Sequence, residues 1–230
     1  MKVYAIIPAG GTGTRINAPV PKQFIRVNGK EIIAYTLEKF QKSSIINKII
    51  VAAHKDYIGK LKEIRNKYGF DKLNDIIPGG TERQYSVYNA LLSIDDASDD
   101  DIVIVHDAVR PLVSEVILTS SVNAAKEFGC FVTAVKAKDT LIKGGEFVNS
   151  YADRSKYYYA QTPQGARYGI FKEAFKRAET ENFLGTDESM LFHRNGNKVK
   201  IVEGSSLNFK ITTGDDLKLF EQLLKTGEHL

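Results

Sequence analysis

Val3-Tyr4-Ala5-Ile6-Ile7-Pro8-Ala9-Gly10-Gly11-Thr12-Gly13-Thr14-Arg15 opens the chain with an apolar, β-branched run that stops abruptly in a glycine-rich loop. A buried strand followed at once by glycines is how an α/β fold presents a ligand loop beyond the strand's carboxyl end. Glycines let several backbone N–H groups turn toward one point without a clashing Cβ, and Arg15 and Lys22 bring positive charge to the same place. A glycine-rich turn alone marks a tight turn as often as a ligand site; the two cations favour a polyphosphate cradle. Two better-known phosphate loops do not fit. Ile16 stands where a dinucleotide fingerprint needs its third glycine, and the Gly-Lys-Ser/Thr of a Walker A loop is absent.

Working outward, similar short apolar runs recur at Lys48 to Ala53, Asp75 to Pro78, Asp101 to His106 and Cys130 to Val135. Helical spacing separates them: Ile32, Ile33, Leu37 and Phe40 in one segment, and Val116, Ile117, Val122 and Phe128 in another that Gly129 ends. The alternation predicts an α/β fold with a Rossmann-like, mostly parallel sheet and flanking helices. Between Lys138 and Arg154 the rhythm breaks: Lys143-Gly144-Gly145-Glu146 separates Thr140-Leu141-Ile142 from Phe147-Val148-Asn149, the pattern of a hairpin. An isolated hairpin is marginal in water, so this arm at 138–154 is expected to pack on a second subunit, the alternative being its own domain. Beyond it, helices are expected over Gly169 to Arg177 and Thr186 to Asn195, strands over Lys198 to Glu203 and Phe209 to Thr212. A final amphipathic helix over Asp215 to Lys225 would be capped by Thr213 or Asp215.

The 230 residues suit one domain, and 43% hydrophobic with 26% charged residues is ordinary for a globular protein. A net charge of +4, spread rather than blocked, fits an anionic substrate and gives nucleic acid no basic, aromatic-interleaved surface. The single cysteine, Cys130, rules out an intrachain disulfide and reads as strand packing. The scattered His54, His106, His193 and His229 do not indicate a histidine metal site. With no charged-then-apolar leader and no apolar stretch near the ~20 residues that span a bilayer, the expected compartment is the cytoplasm, with no membrane partner.

Ligands of an open α/β sheet bind beyond the strands' carboxyl ends, so the loops there decide the chemistry. After the third run comes Pro78-Gly79-Gly80-Thr81-Glu82-Arg83, and after the fourth His106-Asp107-Ala108-Val109-Arg110-Pro111. Thr81 reads either as a helix cap behind two turn glycines or as part of a loop whose amides meet a base edge. Asp107 reads as a helix cap or, favoured by Arg110 three residues on, as a carboxylate for magnesium or substrate hydroxyls. His106 has no nucleophile beside it and is expected to be packed. Lys210, in an apolar stretch, is the notable late cation.

Taken together, these loops with Pro21-Lys22-Gln23-Phe24, Ala160-Gln161-Thr162-Pro163-Gln164-Gly165, Gly185-Thr186-Asp187-Glu188 and Asn208-Phe209-Lys210-Ile211-Thr212-Thr213 resemble the sugar-phosphate and polyol-phosphate cytidylyltransferases. The resemblance runs end to end with the motifs in order. It implies a single nucleotidyltransferase domain that transfers CMP from CTP to a polyol phosphate, releasing pyrophosphate with magnesium present. By the same resemblance Arg15, Lys22, Lys210 and Asp107 would be catalytic. Ala9, Gly10, Gly11 and Gly13 would cradle the triphosphate, and Gly80, Thr81 and Ser86 would read cytosine. Arg110, Thr140, Thr162 and Thr186 would line the acceptor pocket, and Asp107 would hold the metal, the ribose or acceptor hydroxyls. The hairpin would exchange between the subunits of a homodimer, carrying Arg154 into the neighbour's site. The first loop and Thr81 resemble enzymes acting on ribitol 5-phosphate in teichoic-acid synthesis. Asp153-Arg154-Ser155 and the later acceptor-side segments resemble those acting on 2-C-methyl-D-erythritol 4-phosphate in isoprenoid synthesis, which is the expected acceptor.

Overall fold

A computed structural model describes residues 1–11 and 19–227. Strand β1 (Val3–Ala9) leads to the ribbon β2 (Arg26–Val27) and β3 (Lys30–Glu31), then α1 (Ile32–Lys42), β4 (Lys48–Ala53) and α2 (Ile58–Tyr68). There follow β5 (Leu73–Pro78), α3 (Arg83–Leu92), β6 (Ile102–Val105), α4 (Glu115–Phe128), β7 (Cys130–Lys136), β8 (Leu141–Gly144) and β9 (Val148–Ala152). The chain finishes with β10 (Tyr158–Arg167), α5 (Tyr168–Thr180), α6 (Glu188–Arg194), β11 (Lys200–Glu203) and α7 (Gly214–Thr226).

Seven strands form one mixed sheet in the order β11-β7-β10-β6-β1-β4-β5, with β10 antiparallel to both of its neighbours and the other ladders parallel. Strand side chains alternate between faces, and β1 feeds two cores. Val3, Ala5, Ile7 and Ala9 pack with Leu37 and Phe40 of α1, Leu61 of α2 and Leu118 of α4. Tyr4 and Ile6 pack on the opposite face with Val87 and Leu91 of α3 and Phe171 and Phe175 of α5. Helices on both faces explain why β1 reads as a continuous apolar run instead of a half-polar one. A smaller core joins Ile32 and Tyr35 of α1 and Val109 after β6 to Ile211 and to Phe220 and Leu224 of α7. That core brings the C-terminal segment under the carboxyl end of β6.

The chain moves from β1 outward through β4 to β5, then returns to the other side of β1 for β6. The switch point therefore lies between the carboxyl ends of β1 and β6, where open α/β sheets bind ligands.

Two details differ from the sequence expectation. The apolar pattern predicts no strand over β10, whose Ala160 to Gly165 stands out only as a motif of the family resemblance. Pro163 lacks a ladder donor and sits where the pairing with β7 slips between Ala160 and Gln164, while Gly165 is required because a Cβ there would meet the Val103 carbonyl oxygen at 2.3 Å. Phe209 to Thr212 forms no strand; it is a loop pinned at single points, the Ile211 N–H donating to the Val109 carbonyl at 2.9 Å and the Thr212 N–H to Asp216 at 2.8 Å. Of the two caps expected for α7, Thr213 is the one used, in a reciprocal capping box with Asp216. The hairpin is present: among the described residues β8 and β9 pair only with each other, and Ile142, Phe147, Val148 and Tyr151 are exposed along it. Cys130 is buried in β7, and no helix among the described residues is long and apolar enough to cross a membrane.

Candidate active site

At the switch point a cavity of about 370 Å³ is bordered by Ala9 at the end of β1 with Gly10 and Gly11 after it, by Lys22, by Gly80, Thr81 and Ser86 beyond β5, by Asp107 after β6 and by Lys210. Its depth comes from loops that hydrogen bonds hold open. The buried Gln23 amide donates to the carbonyls of Ala9 at 2.7 Å and Gly11 at 2.9 Å, fixing the start of the first loop. Lys22 opens the short turn at 22–24, and its ammonium donates to the Ile211 carbonyl at 3.0 Å, so Lys22 stands beside the backbone that carries Lys210. Gly13 and Arg15 lie outside the described residues.

The second wall is Gly79-Gly80 and the first turn of α3. The Gly80 N–H donates to the Ser86 hydroxyl at 3.0 Å, and that hydroxyl donates on to the Glu82 carbonyl at 3.1 Å. A Cβ on Gly80 would lie 2.3 Å from the Tyr85 Cβ, so the loop reaches this proximity to α3 only with glycine. The helix-cap reading of Thr81 does not hold: Glu82 is the N-cap residue, without a side-chain cap bond, and Thr81 is left on the rim.

The third wall carries the charge. No helix follows Asp107 directly, so it is not a cap; its carboxylate is instead surrounded by cations. One oxygen faces the Arg83 guanidinium at 3.3 Å, and the other faces Lys210 Nζ at 3.0 Å and Arg110 Nε at 3.4 Å. Arg83 in turn grips the buried Glu188 with two N–H groups, at 2.6 and 3.2 Å. Burial alone would raise the Asp107 carboxyl, but Arg83, Lys210 and Arg110 reverse this and hold it well below the usual carboxylate range. For Glu188 burial prevails over Arg83, lifting its carboxyl above the ordinary value. Three cations around two carboxylates leave a local excess of one positive charge, and Lys22 and Glu82 on the cavity wall offset one another, so the site keeps a positive excess suited to an anion.

Behind this wall lies a buried polar layer. His106 donates from Nε2 to the Arg110 carbonyl at 3.0 Å and accepts at Nδ1 from the Thr162 hydroxyl at 3.1 Å. The same hydroxyl accepts from the Asp107 N–H at 3.1 Å. Burial pushes the His106 imidazole down to about 4, so it is a neutral spacer that sets the height of Asp107. Arg110 also donates to the Asn208 carbonyl at 2.7 Å, and Asn208 donates to the Thr162 carbonyl at 2.8 Å, locking the Lys210 loop to β10.

The fold thus gathers Ala9, Gly10, Gly11, Lys22, Gly80, Thr81, Ser86, Asp107 and Lys210 around one cavity, with Arg110 and Thr162 directly behind. It does not bring Thr140, Arg154 or Thr186 there within one chain. Thr140 is exposed at the base of the hairpin, and Arg154 donates to the Lys138 carbonyl at 2.7 Å. Thr186 borders a separate small crevice that Arg83 and Glu188 share. Sequence reasoning assigned no role to Gln23, Arg83 or Glu188; a charged residue opening a helix beyond a glycine pair was the available signal for Arg83. Among the described residues no three His, Cys, Asp or Glu side chains gather to hold a metal ion, and both oxygens of Asp107 are engaged by cations.

The family model for 2-C-methyl-D-erythritol 4-phosphate cytidylyltransferase (IspD) matches residues 3–226. The chain is 43% identical over 224 residues to the enzyme of that name from Clostridium acetobutylicum, covering 96% of both chains. It superposes on the crystal structure of 4-diphosphocytidyl-2C-methyl-D-erythritol synthase from Anaerococcus prevotii with a TM-score of 0.84 at 31% identity, covering 97% of this chain and 96% of that one. Against the 2-C-methyl-D-erythritol 4-phosphate cytidylyltransferase of Francisella tularensis the TM-score is 0.83 at 35% identity, covering 96% of this chain and 99% of that one.

Proposed function

The chain belongs to the 2-C-methyl-D-erythritol 4-phosphate cytidylyltransferase family and transfers CMP from CTP to that acceptor in isoprenoid biosynthesis, and from this premise we propose that the cavity between β1, β5 and β6 is where the transfer occurs. The observation that carries this reading is the convergence of Lys22 and Lys210, distant in sequence, which line one cavity beside the glycine loop. An oxygen of the acceptor phosphate bonds to the α-phosphorus of CTP while the bond from that phosphorus to the bridging oxygen breaks. The electron pair leaves with pyrophosphate. The acceptor phosphate is itself the nucleophile, so the protein's task is positioning and neutralising charge.

The amides of Ala9 to Gly11 support the triphosphate, Lys22 and Lys210 face the charge that builds at the α-phosphate, and Gly80, Thr81 and Ser86 border the base. Arg15, outside the described residues, is assigned beside Lys22 by the family resemblance. Asp107 serves as the shared counter-ion of Arg83, Arg110 and Lys210. Magnesium would neutralise the phosphates when bound. Asp107, already paired with cations, does not make a protein cage for it, and no group of three metal-ligating side chains gathers among the described residues, so the ion is proposed to arrive with CTP, held chiefly by phosphate oxygens.

The exposed apolar hairpin supports a homodimer in which the arm of each copy packs on the other and brings Arg154, Thr140 and the acceptor together. The compartment proposed is the cytoplasm, where CTP is available. Lys22→Ala and Lys210→Ala should each lower kcat for pyrophosphate release by about 10²–10³-fold, the cost of removing one preorganised donor, while the fold persists. Wild-type turnover in either variant contradicts the assignment.

A further inference from the structure

Glu188 does not border the cavity, yet it is a fully buried carboxylate, 1% exposed, in a protein whose apolar cores do not need it. Burying an ionisable group is costly and seldom justified by stability alone. Its place is fixed from two sides. Asp187 caps α6 by accepting from the Met190 N–H at 2.9 Å, and Gln164 of β10 donates to Asp187 at 3.1 Å while accepting from the Ser189 N–H at 2.8 Å. Glu188 therefore leaves α6 at a defined point and meets Arg83 through both oxygens, at 2.6 and 3.2 Å.

That grip orients the rest of the guanidinium. Its Nε and Nη2 face one oxygen of Asp107 at 3.3 Å, which leaves the other oxygen to Lys210 at 3.0 Å and Arg110 at 3.4 Å. We propose that Glu188 is a positioning residue for the transfer reaction, holding Arg83 against Asp107 and through Asp107 setting the place of the Lys210 ammonium in the cavity. Without Glu188 the guanidinium is free to take both oxygens of Asp107 and crowd out Lys210, or to turn toward the bound polyphosphate and leave the Asp107 carboxylate free to rotate; in either case Lys210 loses its fixed place. The effect falls on the transition state, where Lys210 acts, more than on CTP binding. This inference rests on the role assigned to Lys210 above.

The test is a double-mutant cycle on kcat and KM for pyrophosphate release, with far-ultraviolet circular dichroism and melting curves on each variant. Glu188→Gln keeps the side-chain shape and removes the second acceptor. It should lower kcat by about tenfold or more, as expected for a displaced catalytic group, with KM for CTP changed less than about threefold. In a Lys210→Ala background the same substitution should cost less than about twofold, because the group it positions is gone. If Glu188→Gln lowers kcat by the same factor in both backgrounds, Glu188 acts on the fold and not through Lys210, and the proposal is overturned. Should Glu188→Gln fail to fold, Glu188→Asp, which retains the charge one methylene short, enters the same cycle under the same criterion. Full turnover of Lys210→Ala alone would instead remove the reading on which the inference rests.

Discussion

Asp107→Asn is the substitution that most sharply separates charge from shape at this site. In the wild type Arg83, Arg110 and Lys210 are set against Asp107 and Glu188, an excess of one positive charge; asparagine raises the excess to two and leaves the cations without their shared partner. Removing one partner of a buried ion pair costs about 3–5 kcal/mol. Arg83 and Lys210 are 32% and 35% exposed, so solvent screens part of the loss and the lower end of that range applies. For a chain of this length about 3 kcal/mol corresponds to a fall in melting temperature of about 6–12 °C. Differential scanning calorimetry reads that fall directly, and pyrophosphate release reads the catalytic consequence: kcat should drop as Lys210 loses its anchor. CTP binding by titration calorimetry should hold or strengthen at low salt, since the cavity has become more positive. A melting temperature within about 2 °C of wild type, or CTP affinity that collapses together with kcat, would refute the view of Asp107 as counter-ion and favour a direct role in holding substrate.

Gly80→Ala places a methyl group 2.3 Å from the Tyr85 Cβ, so the first turn of α3 must move; the expected penalty is about 1–3 kcal/mol, with CTP affinity reduced about tenfold or more, and wild-type titration calorimetry would contradict it. His106 is held neutral, its pKa pushed from 6.5 down to about 4, so the unfolded chain binds the proton more readily between those values. Its contribution is complete above about pH 6.5 and is lost as pH falls toward 4, by about 3 kcal/mol in all. Urea titrations across that window should show a flatter pH dependence for His106→Gln, and an unchanged slope counts against the assignment. Phe147 and Tyr151 are 77% and 71% exposed on the hairpin, and replacing both with aspartate should convert the proposed dimer to a monomer in sedimentation velocity without unfolding it; a monomeric wild type would contradict the dimer, and an unaltered dimer would place the interface elsewhere.

The α/β architecture was legible because β1, β4, β6 and β7 are buried on both faces and so read as unbroken apolar runs. Strand β10 escaped notice because its buried side chains are polar and Pro163 interrupts its ladder: Gln161, Thr162 and Gln164 turn inward to Asn208, His106 and Asp187. Phe209 to Thr212 misled in the opposite sense, since Ile211 is apolar to seal α7 onto α1 and not to join a sheet. Lys22, Asp107 and Lys210 stood out as charges next to glycines or in apolar stretches. The Glu188–Arg83 pair did not, because nothing local ties residues 105 positions apart. The glycine loop and Thr81 pointed to ribitol 5-phosphate, whereas the family match supports the methylerythritol acceptor. That first loop is assigned to CTP, which both groups of enzymes share, and on that assignment carries little information about the acceptor.

The central claim is tested most directly by measuring pyrophosphate release with CTP, magnesium and either 2-C-methyl-D-erythritol 4-phosphate or ribitol 5-phosphate, in the wild type and in Lys210→Ala. The expected result is turnover with the methylerythritol phosphate that falls by about 10²–10³-fold in the variant. Turnover with ribitol 5-phosphate alone, or turnover indifferent to Lys210, would contradict it.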